Sequence, residues 1–246
     1  MIRSSLLCML FGLLLTVNNI SASSIDVVNG KINITIGTTS MCGDTVWFIS
    51  NVFAEAYAAY GEYLDVKFVP WGRTQRDPDD TLRCQFGEAD CWANRVHRCS
   101  LYLLEGNQDA QVEYMTCEFS PPHPAALLGS YQCGQQLGLN IEQLDHCVST
   151  SGWLLDLVAE EEAREPMTVI NFVPSIHFND VLDVDIHRQA FVNLVGMVCN
   201  VPGSIPGRAE IEMMILNLCY GSWCSMYNKY VFRKKYKSSL SVIYHP

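Results

Sequence analysis

Basic residues are scarce through most of this sequence of 246 residues. It holds 16 Lys and Arg against 26 Asp and Glu, a formal net charge of −10. Of that, Arg3 contributes +1. Residues 204–246 contribute +4, from Arg208, Lys229, Arg233, Lys234, Lys235 and Lys237 against Glu210 and Glu212, which leaves −15 on residues 24–203. A body so acidic repels phosphate backbones and excludes nucleic acid as a partner. Long apolar runs are missing too. Leu6 to Val17 and Met213 to Met226 are both shorter than the roughly 20 residues a helix needs to cross a bilayer. There is no internal repeat and no low-complexity tract. His97, His123, His146, His177 and His187 are scattered without metal-ligand spacing, and each is expected at the surface or at a helix end. The last absence concerns sulfur. Cys42 is followed at the third position by Thr45, so the second thiol of a C-x-x-C pair is missing.

What is present begins with a leader. Residues 1–23 read as a secretory signal peptide: Arg3, the apolar Leu6 to Val17, then Ser21, Ala22 and Ser23 as small residues for cleavage. An uncleaved anchor is the alternative. Secretion changes how cysteines read. There are 11; Cys8 leaves with the leader, and the rest enter an oxidising compartment where a disulfide framework is the default. Spacing does not fix the connectivity. If Cys42 is free, the nine others cannot all pair among themselves.

Periodicity gives a coarse layout. "KINITI" alternates and is β-branched, so it reads as a strand. From Trp47 to Tyr57 apolar residues recur at helical spacing, with Cys42 at the helix start, and Leu64 to Trp71 reads as a second strand. Strand, turn, helix, strand is a βαβ opening. Residues 72–83 read as a loop, 88–105 as a helix, and Pro121, Pro122 and Pro124 as a break. Ala125 to Leu137, Ile141 to Cys147, Trp153 to Arg164 and Ile186 to Cys199 read as helices. Met167 to Phe178 reads as a strand pair interrupted by Pro174. "VPGSIPGR" is a linker, which divides the chain into the leader 1–23, a domain 24–203 and a divergent basic tail 204–246 that need not be ordered.

Residues 84–99, "CQFGEADCWANRVHRC", are the most informative stretch. Cys84, Cys91, Cys99 and His97 make a conceivable zinc set, but structural zinc sites usually pair cysteines two to four apart, so disulfides are the stronger reading. The stretch resembles the signature of the gamma-interferon-inducible lysosomal thiol reductase (GILT) family, C-Q-H-G-x-x-E-C-x-x-N-x-x-x-x-C. Cys84, Gln85, Gly87, Cys91, Asn94 and Cys99 match; Phe86 stands for the family His and Asp90 for the family Glu. The resemblance extends over roughly residues 30–200 and not over the tail.

The resemblance implies an α/β, thioredoxin-like sheet sandwiched by helices, with the signature in an inserted cysteine-rich helical segment. It implies reduction of protein disulfides in acidic endolysosomal compartments, through a cysteine on the first helix. It aligns Val173-Pro174 with the cis-proline that faces the active cysteine in such folds, although an ordinary trans proline on an edge strand is the competing reading. Gln85 and Asn94 are expected to orient the inserted segment rather than touch substrate.

These residues make Cys42 and Thr45 the candidate catalytic pair. A nucleophilic cysteine acts as thiolate, and with an ordinary pKa of about 8.5 only about one part in 3,000 is ionised at pH 5. A helix N-terminus stabilises the anion. Asp44 opposes it by charge, or accepts helix N–H groups. Thr45 cannot form a disulfide; its hydroxyl can bond the Cys42 sulfur. Resolution of a mixed disulfide must then come from an external small thiol such as cysteine or glutathione, or from a second substrate cysteine, which gives isomerisation. No cofactor or metal is expected.

The reading is a secreted or lysosomal thiol oxidoreductase or isomerase acting on disulfide-containing proteins, impaired by Thr45. The alternatives are a redox-inactive GILT-like binding protein and an extracellular module with all sulfurs bridged. Asn33 heads a glycosylation sequon on the polar face of the first strand, though a sandwiched strand would bury it. No membrane contact is expected. A C-terminal anchor at 213–226 is the weaker alternative, against a short packed helix with a local Cys219–Cys224 bridge or a segment foreign to the domain.

Overall fold

The computed structural model describes residues 25–201. The leader, the tail with its anchor alternative, and the Cys219–Cys224 bridge lie outside the described residues.

Three strands form the main sheet. β1 (Ile32–Thr38) is central. It pairs in parallel with β2 (Leu64–Pro70), Ile32 opposite Leu64 and Thr38 opposite Pro70. It pairs antiparallel with β5 (Ser175–Phe178), Ile36 opposite Ile176. Gly37 is required here: a Cβ on it would meet Ser175 Oγ at 2.2 Å. Parallel neighbours need a crossover, and the helical stretch after Cys42 supplies it. It comprises α1 (Gly43–Trp47), a π-helical segment Phe48–Phe53, and α2 (Ala54–Tyr60). The sheet, its crossover and the covering helices make a mixed α/β arrangement, as the resemblance implies.

Alternation decides which sheet face is packed. Ile32, Ile34, Ile36, Leu64, Val66, Phe68, Ile176 and Phe178 share one core with Phe48, Phe53 and Tyr60 of the crossover and with Leu194 and Val198 of the last helix. Burying a side chain of this size stabilises by about 1.5–3 kcal/mol. The opposite face is covered at one end, where Val69 and Trp71 meet Ala159 and Ala163. Asn33 and Thr35 on that face are therefore half-buried, and Asp65 and Lys67 are exposed. The sandwich is incomplete around Asn33.

Between β2 and β5 lies the helical insert. Residues 75–83 are not a plain loop: β3 (Gln75–Arg76) and β4 (Leu82–Arg83) pair as a small hairpin. α3 (Glu88–Leu103) follows as expected. α4 (Gln108–Glu118), capped by the Asn107 side chain on Ala110 N, is a helix the periodicity did not reveal. The expected helix 125–137 is two, α5 (Pro124–Leu128) and α6 (Gln132–Gln136), because Gly129 turns left-handed at φ 56°. α7 (Ile141–His146) runs through a π-helical segment Cys147–Ser151 into α8 (Gly152–Val169). Met167 to Val169 are helical rather than the first of two strands. Met167 packs on the Val69–Ala163 cluster, and Thr168 Oγ1 donates to Arg164 O one turn back. α9 (Val184–Asn200), capped by Asp183, closes the described chain.

Disulfides staple the insert: Cys84–Cys91, Cys99–Cys147 and Cys117–Cys133. Cys199 is also disulfide-bonded. The conceivable zinc set does not converge, since its cysteines are bridged and His97 instead faces Glu118 at 3.5 Å. His97, His177 and His187 are buried, contrary to the surface expectation, because α3, β5 and α9 each turn that side into a core. Among the described residues no helix is long and apolar enough to cross a membrane.

Candidate functional site

The end of β1 delivers the chain into a short loop, Thr39–Met41, with Thr39 and Ser40 buried and Met41 half-buried, and then into α1. Cys42 is the N-cap, with extended φ −79° and ψ 119°, and its carbonyl accepts the first helical bond from Val46 N at 3.0 Å. It is the free cysteine among the described residues and is 7 % exposed. Its side chain makes no capping bond to the helix N–H groups. Instead the thiol donates to the carbonyl of Val173, 3.5 Å away. The Val173–Pro174 bond is cis. Residues 131 positions apart thus meet where the α8–β5 connection crosses the start of α1.

Thr45 is fully buried, and its hydroxyl has no hydrogen-bond partner. The Thr45–Cys42 bond open to the sequence is therefore not formed. Asp44 is exposed in the first turn of α1. The other described cysteines are bridged, so among the described residues no second thiol accompanies Cys42.

The signature acts on the loop before Cys42. Asp90 and Asn94 are one turn apart on α3 and so share a face, and both are buried. The Asp90 carboxylate accepts from Thr39 Oγ1 at 3.0 and 3.1 Å, from Ser40 Oγ at 2.6 Å and from Met41 N at 3.2 Å. Asn94 Oδ1 accepts from Ser40 N at 2.9 Å, and its Nδ2 donates to Thr39 Oγ1 at 2.9 Å. Every residue of the loop is thus tied to α3. A buried carboxylate is tolerable because charge-assisted bonds surround it, and its place in the first turn of α3 suits the helix dipole. Gly72, at φ +58°, lies against the same loop; a Cβ there would meet Thr39 Cβ at 2.7 Å.

The other signature residues lie apart from Cys42 in role. Cys84 and Cys91 bridge each other, and Cys99 ties α3 to Cys147. Gly87 caps α3 at φ 88°. Gln85 and the family-divergent Phe86 are exposed. A second buried tie holds α3 in place: Arg98 donates to Asp156 of α8 and to the Pro70 carbonyl at the end of β2, beneath Trp71. Burial lowers the Arg98 pKa to about 10, so it stays charged at neutral and acidic pH.

Three features were not legible as site residues. Asp90 entered only as a stand-in for the family Glu. Trp47, Phe172 and Phe191 form an aromatic cluster beside the site, with Phe191 centred 5.0 Å from Trp47 and 5.4 Å from Phe172. They come from three separate elements, so no local pattern joins them. His187 backs this cluster, 5.5 Å from Phe172, and its Nδ1 accepts from Ile176 N at 3.3 Å. Burial, and then Arg188, push its pKa down to about 4. Among the described residues no cluster of His, Cys, Asp or Glu is arranged to hold a metal ion.

Comparison with known proteins bears on the same segments. The family model described as "Gamma interferon inducible lysosomal thiol reductase (GILT)" matches residues 33–137, from β1 through the signature. GILT-like protein 1 of Drosophila melanogaster is 28% identical over 186 residues, 69% of this chain and 74% of that protein. The gamma-interferon-inducible lysosomal thiol reductase-like protein of Anopheles gambiae is 22% identical over 186 residues, 69% of this chain and 76% of its own length. A solved structure assigned as a protein disulfide isomerase of Nitrosomonas europaea superposes with a TM-score of 0.44 at 13% identity, over 66% of this chain and 96% of its own.

Proposed function

We propose that this chain is a member of the gamma-interferon-inducible lysosomal thiol reductase family, whose model matches residues 33–137, and that it reduces or isomerises protein disulfides through Cys42 in the secretory pathway or the lysosome. The observation that carries this reading is the unbridged Cys42 thiol at a helix start, 3.5 Å from the Val173 carbonyl beside Pro174. In the first step the Cys42 thiolate attacks one sulfur of a substrate disulfide. The substrate S–S bond breaks, a Cys42–substrate disulfide forms, and the second substrate sulfur leaves with the electron pair and takes up a proton. A small external thiolate then attacks the Cys42 sulfur of that mixed disulfide and the substrate leaves with both its thiols reduced; a second small thiolate attacks the small-molecule sulfur of the Cys42 adduct, freeing Cys42 and forming one small-molecule disulfide. If instead the freed substrate thiolate attacks another substrate disulfide and a substrate thiolate finally displaces Cys42, no external thiol is consumed and the outcome is isomerisation. Thr45 takes no covalent part.

Trapping tests this. Reduced protein is mixed at pH 5 with a disulfide-containing protein and quenched with an alkylating agent. The expected result is a mixed disulfide on a non-reducing gel that is lost in Cys42→Ser. Absence of any adduct from wild type, under conditions where substrate binds, would overturn the catalytic reading.

Two observations favour a second reading, a binding protein without turnover. Cys42 is only 7 % exposed, and no second thiol stands near it among the described residues. Insulin reduction by wild type and by Thr45→Cys separates the two readings. Turnover by wild type supports the oxidoreductase; turnover only after Thr45→Cys supports the binder.

A further inference from the structure

The three disulfides with both partners described differ in their surroundings. Cys99 and Cys147 are both buried, and Cys133 is buried at the end of its bridge to Cys117. Cys84 and Cys91 are each only half-buried. Cys91 lines an open cleft with Asp80, Leu82, Glu88, Trp92 and Arg95, so this bridge stands where a small molecule can enter. It also closes the shortest loop, with a separation of 7 residues against 16 and 48. A short loop removes less freedom from the unfolded chain, so in the chain-entropy account this bridge contributes least to holding the fold. Its far sulfur has a hydroxyl within reach. Thr74 Oγ1, on a buried residue, lies 2.6 Å from the Trp71 carbonyl oxygen and 3.3 Å from Cys84 Sγ, so its one hydrogen is shared between them, and the share on sulfur grows as the sulfur gains negative charge.

The loop that this bridge closes carries Asp90. Phe86 N, inside the loop, donates to Asp90 Oδ2 at 3.4 Å. The same carboxylate holds Thr39, Ser40 and Met41 ahead of Cys42. Opening the bridge frees residues 84–87 from the first turn of α3 and loosens the support of that carboxylate.

We propose that Cys84–Cys91 is a second thiol-exchange site, opened by a small aminothiol and coupled through Asp90 to the reactivity of Cys42. A small-molecule thiolate in the cleft attacks Cys91 Sγ. The Cys84–Cys91 bond breaks, and Cys84 leaves with the electron pair as a thiolate held by the Thr74 hydroxyl, later taking a proton from water. A second aminothiol attacks the small-molecule sulfur of the mixed disulfide and frees Cys91. Two small thiols are oxidised to one disulfide while the protein bridge is reduced. Asp80 and Glu88 outnumber Arg95 at the cleft, so a thiol carrying an ammonium group fits better than an anionic one. Nothing here requires Cys42 to turn over substrate; it requires only a free thiol there.

The test uses the full, oxidised, unreduced-by-denaturant chain exposed to graded cysteamine, then alkylated and mapped by mass spectrometry. Cys84 and Cys91 are expected to label together at thiol concentrations that leave Cys99, Cys147, Cys117 and Cys133 bridged. Labelling of Cys84 and Cys91 only after denaturation, or only together with the other pairs, overturns the proposal. 3-Mercaptopropionate, compared at equal thiolate concentration, is expected to open the bridge more slowly; equal or faster opening overturns the aminothiol assignment. Thr74→Val should slow opening about fivefold. Once the bridge is open, alkylation of Cys42 should accelerate about threefold or more, in wild type and in Cys84→Ser/Cys91→Ser alike; an unchanged Cys42 rate overturns the coupling. If the double variant does not fold, the wild-type labelling map and the Cys42 rate measured on it still decide. A Cys42 that reacts with alkylating agent but never traps substrate overturns the oxidoreductase reading and leaves this one standing.

Discussion

At Cys42 the helix start and the thiol point to different partners. The residue caps α1, yet its thiol donates to the Val173 carbonyl and its sulfur accepts from no helix N–H. Three residues on, Thr45 fills buried space with an unpartnered hydroxyl. A buried hydroxyl without a partner costs about 1–3 kcal/mol in protein mutational data. Thr45→Val keeps the shape and removes the polar atom, so it should leave stability unchanged or raise it by about 1 kcal/mol, read as the urea midpoint. A loss of that size would mean that the hydroxyl is bonded. Asp90 behaves oppositely. Asp90→Ala strips the acceptor from Thr39, Ser40 and Met41 and should cost about 3 kcal/mol, with Asp90→Asn costing less because one acceptor oxygen remains. Denaturant unfolding at neutral pH reads both. That Cys42 is the candidate nucleophile was legible from its place before a helical pattern. That Asp90 holds the loop ahead of it was not, because the partners are about fifty positions apart in sequence.

At the scale of elements, β5 and α9 form one titrating unit through His187, whose Nδ1 takes the Ile176 N–H. Its folded pKa is about 4 against an ordinary 6.5, because burial disfavours the imidazolium. Above pH 6.5 the residue is neutral in both folded and unfolded chains, and its contribution is intact. As pH falls from 6.5 toward 4 only the unfolded chain gains the proton, so stability is lost, up to about 3 kcal/mol. His177, also pushed down by burial, adds in the same direction. His187→Gln should flatten that part of the profile when thermal midpoints are compared between pH 7 and pH 4; an unchanged slope would show that carboxylates alone set it. The same scale explains which elements periodicity found. β1, β2 and α3 carry strong alternating or helical patterns. α4 buries Val112, Tyr114 and Met115 amid polar neighbours with no continuous apolar stripe, so periodicity alone does not show it. Met167 to Val169 look strand-like by composition, but a helix already anchored by Ala159 and Ala163 carries through them.

Over the whole molecule, charge is the property that a partner meets first. The −15 on residues 24–203 is spread over a surface in which two of the bases, Arg95 and Arg98, are committed to Asp156. A cationic disulfide peptide should form its mixed disulfide with Cys42 about tenfold more slowly at high than at low salt, and an anionic peptide should show the reverse trend. Stopped-flow rates over a salt series check this; parallel trends for both peptides would remove steering as a factor. By itself the sequence determined the resemblance to the thiol reductase family, through the spacing of Cys84, Gly87, Cys91, Asn94 and Cys99, and the missing second thiol at Thr45. Those are local facts of residue type and order, and they survive without coordinates. It also determined the first strand, the first crossover and the acid excess, because period and composition are local. Only the tertiary structure decided that Cys42 meets Val173, that Asp90 and Asn94 clamp the loop before it, and which sulfurs pair. Each of these depends on segments brought together by burial of the Ile32–Ile36 face and by packing of α3 against β2, and hydrogen bonds and bridges across such distances leave no periodic trace in the chain.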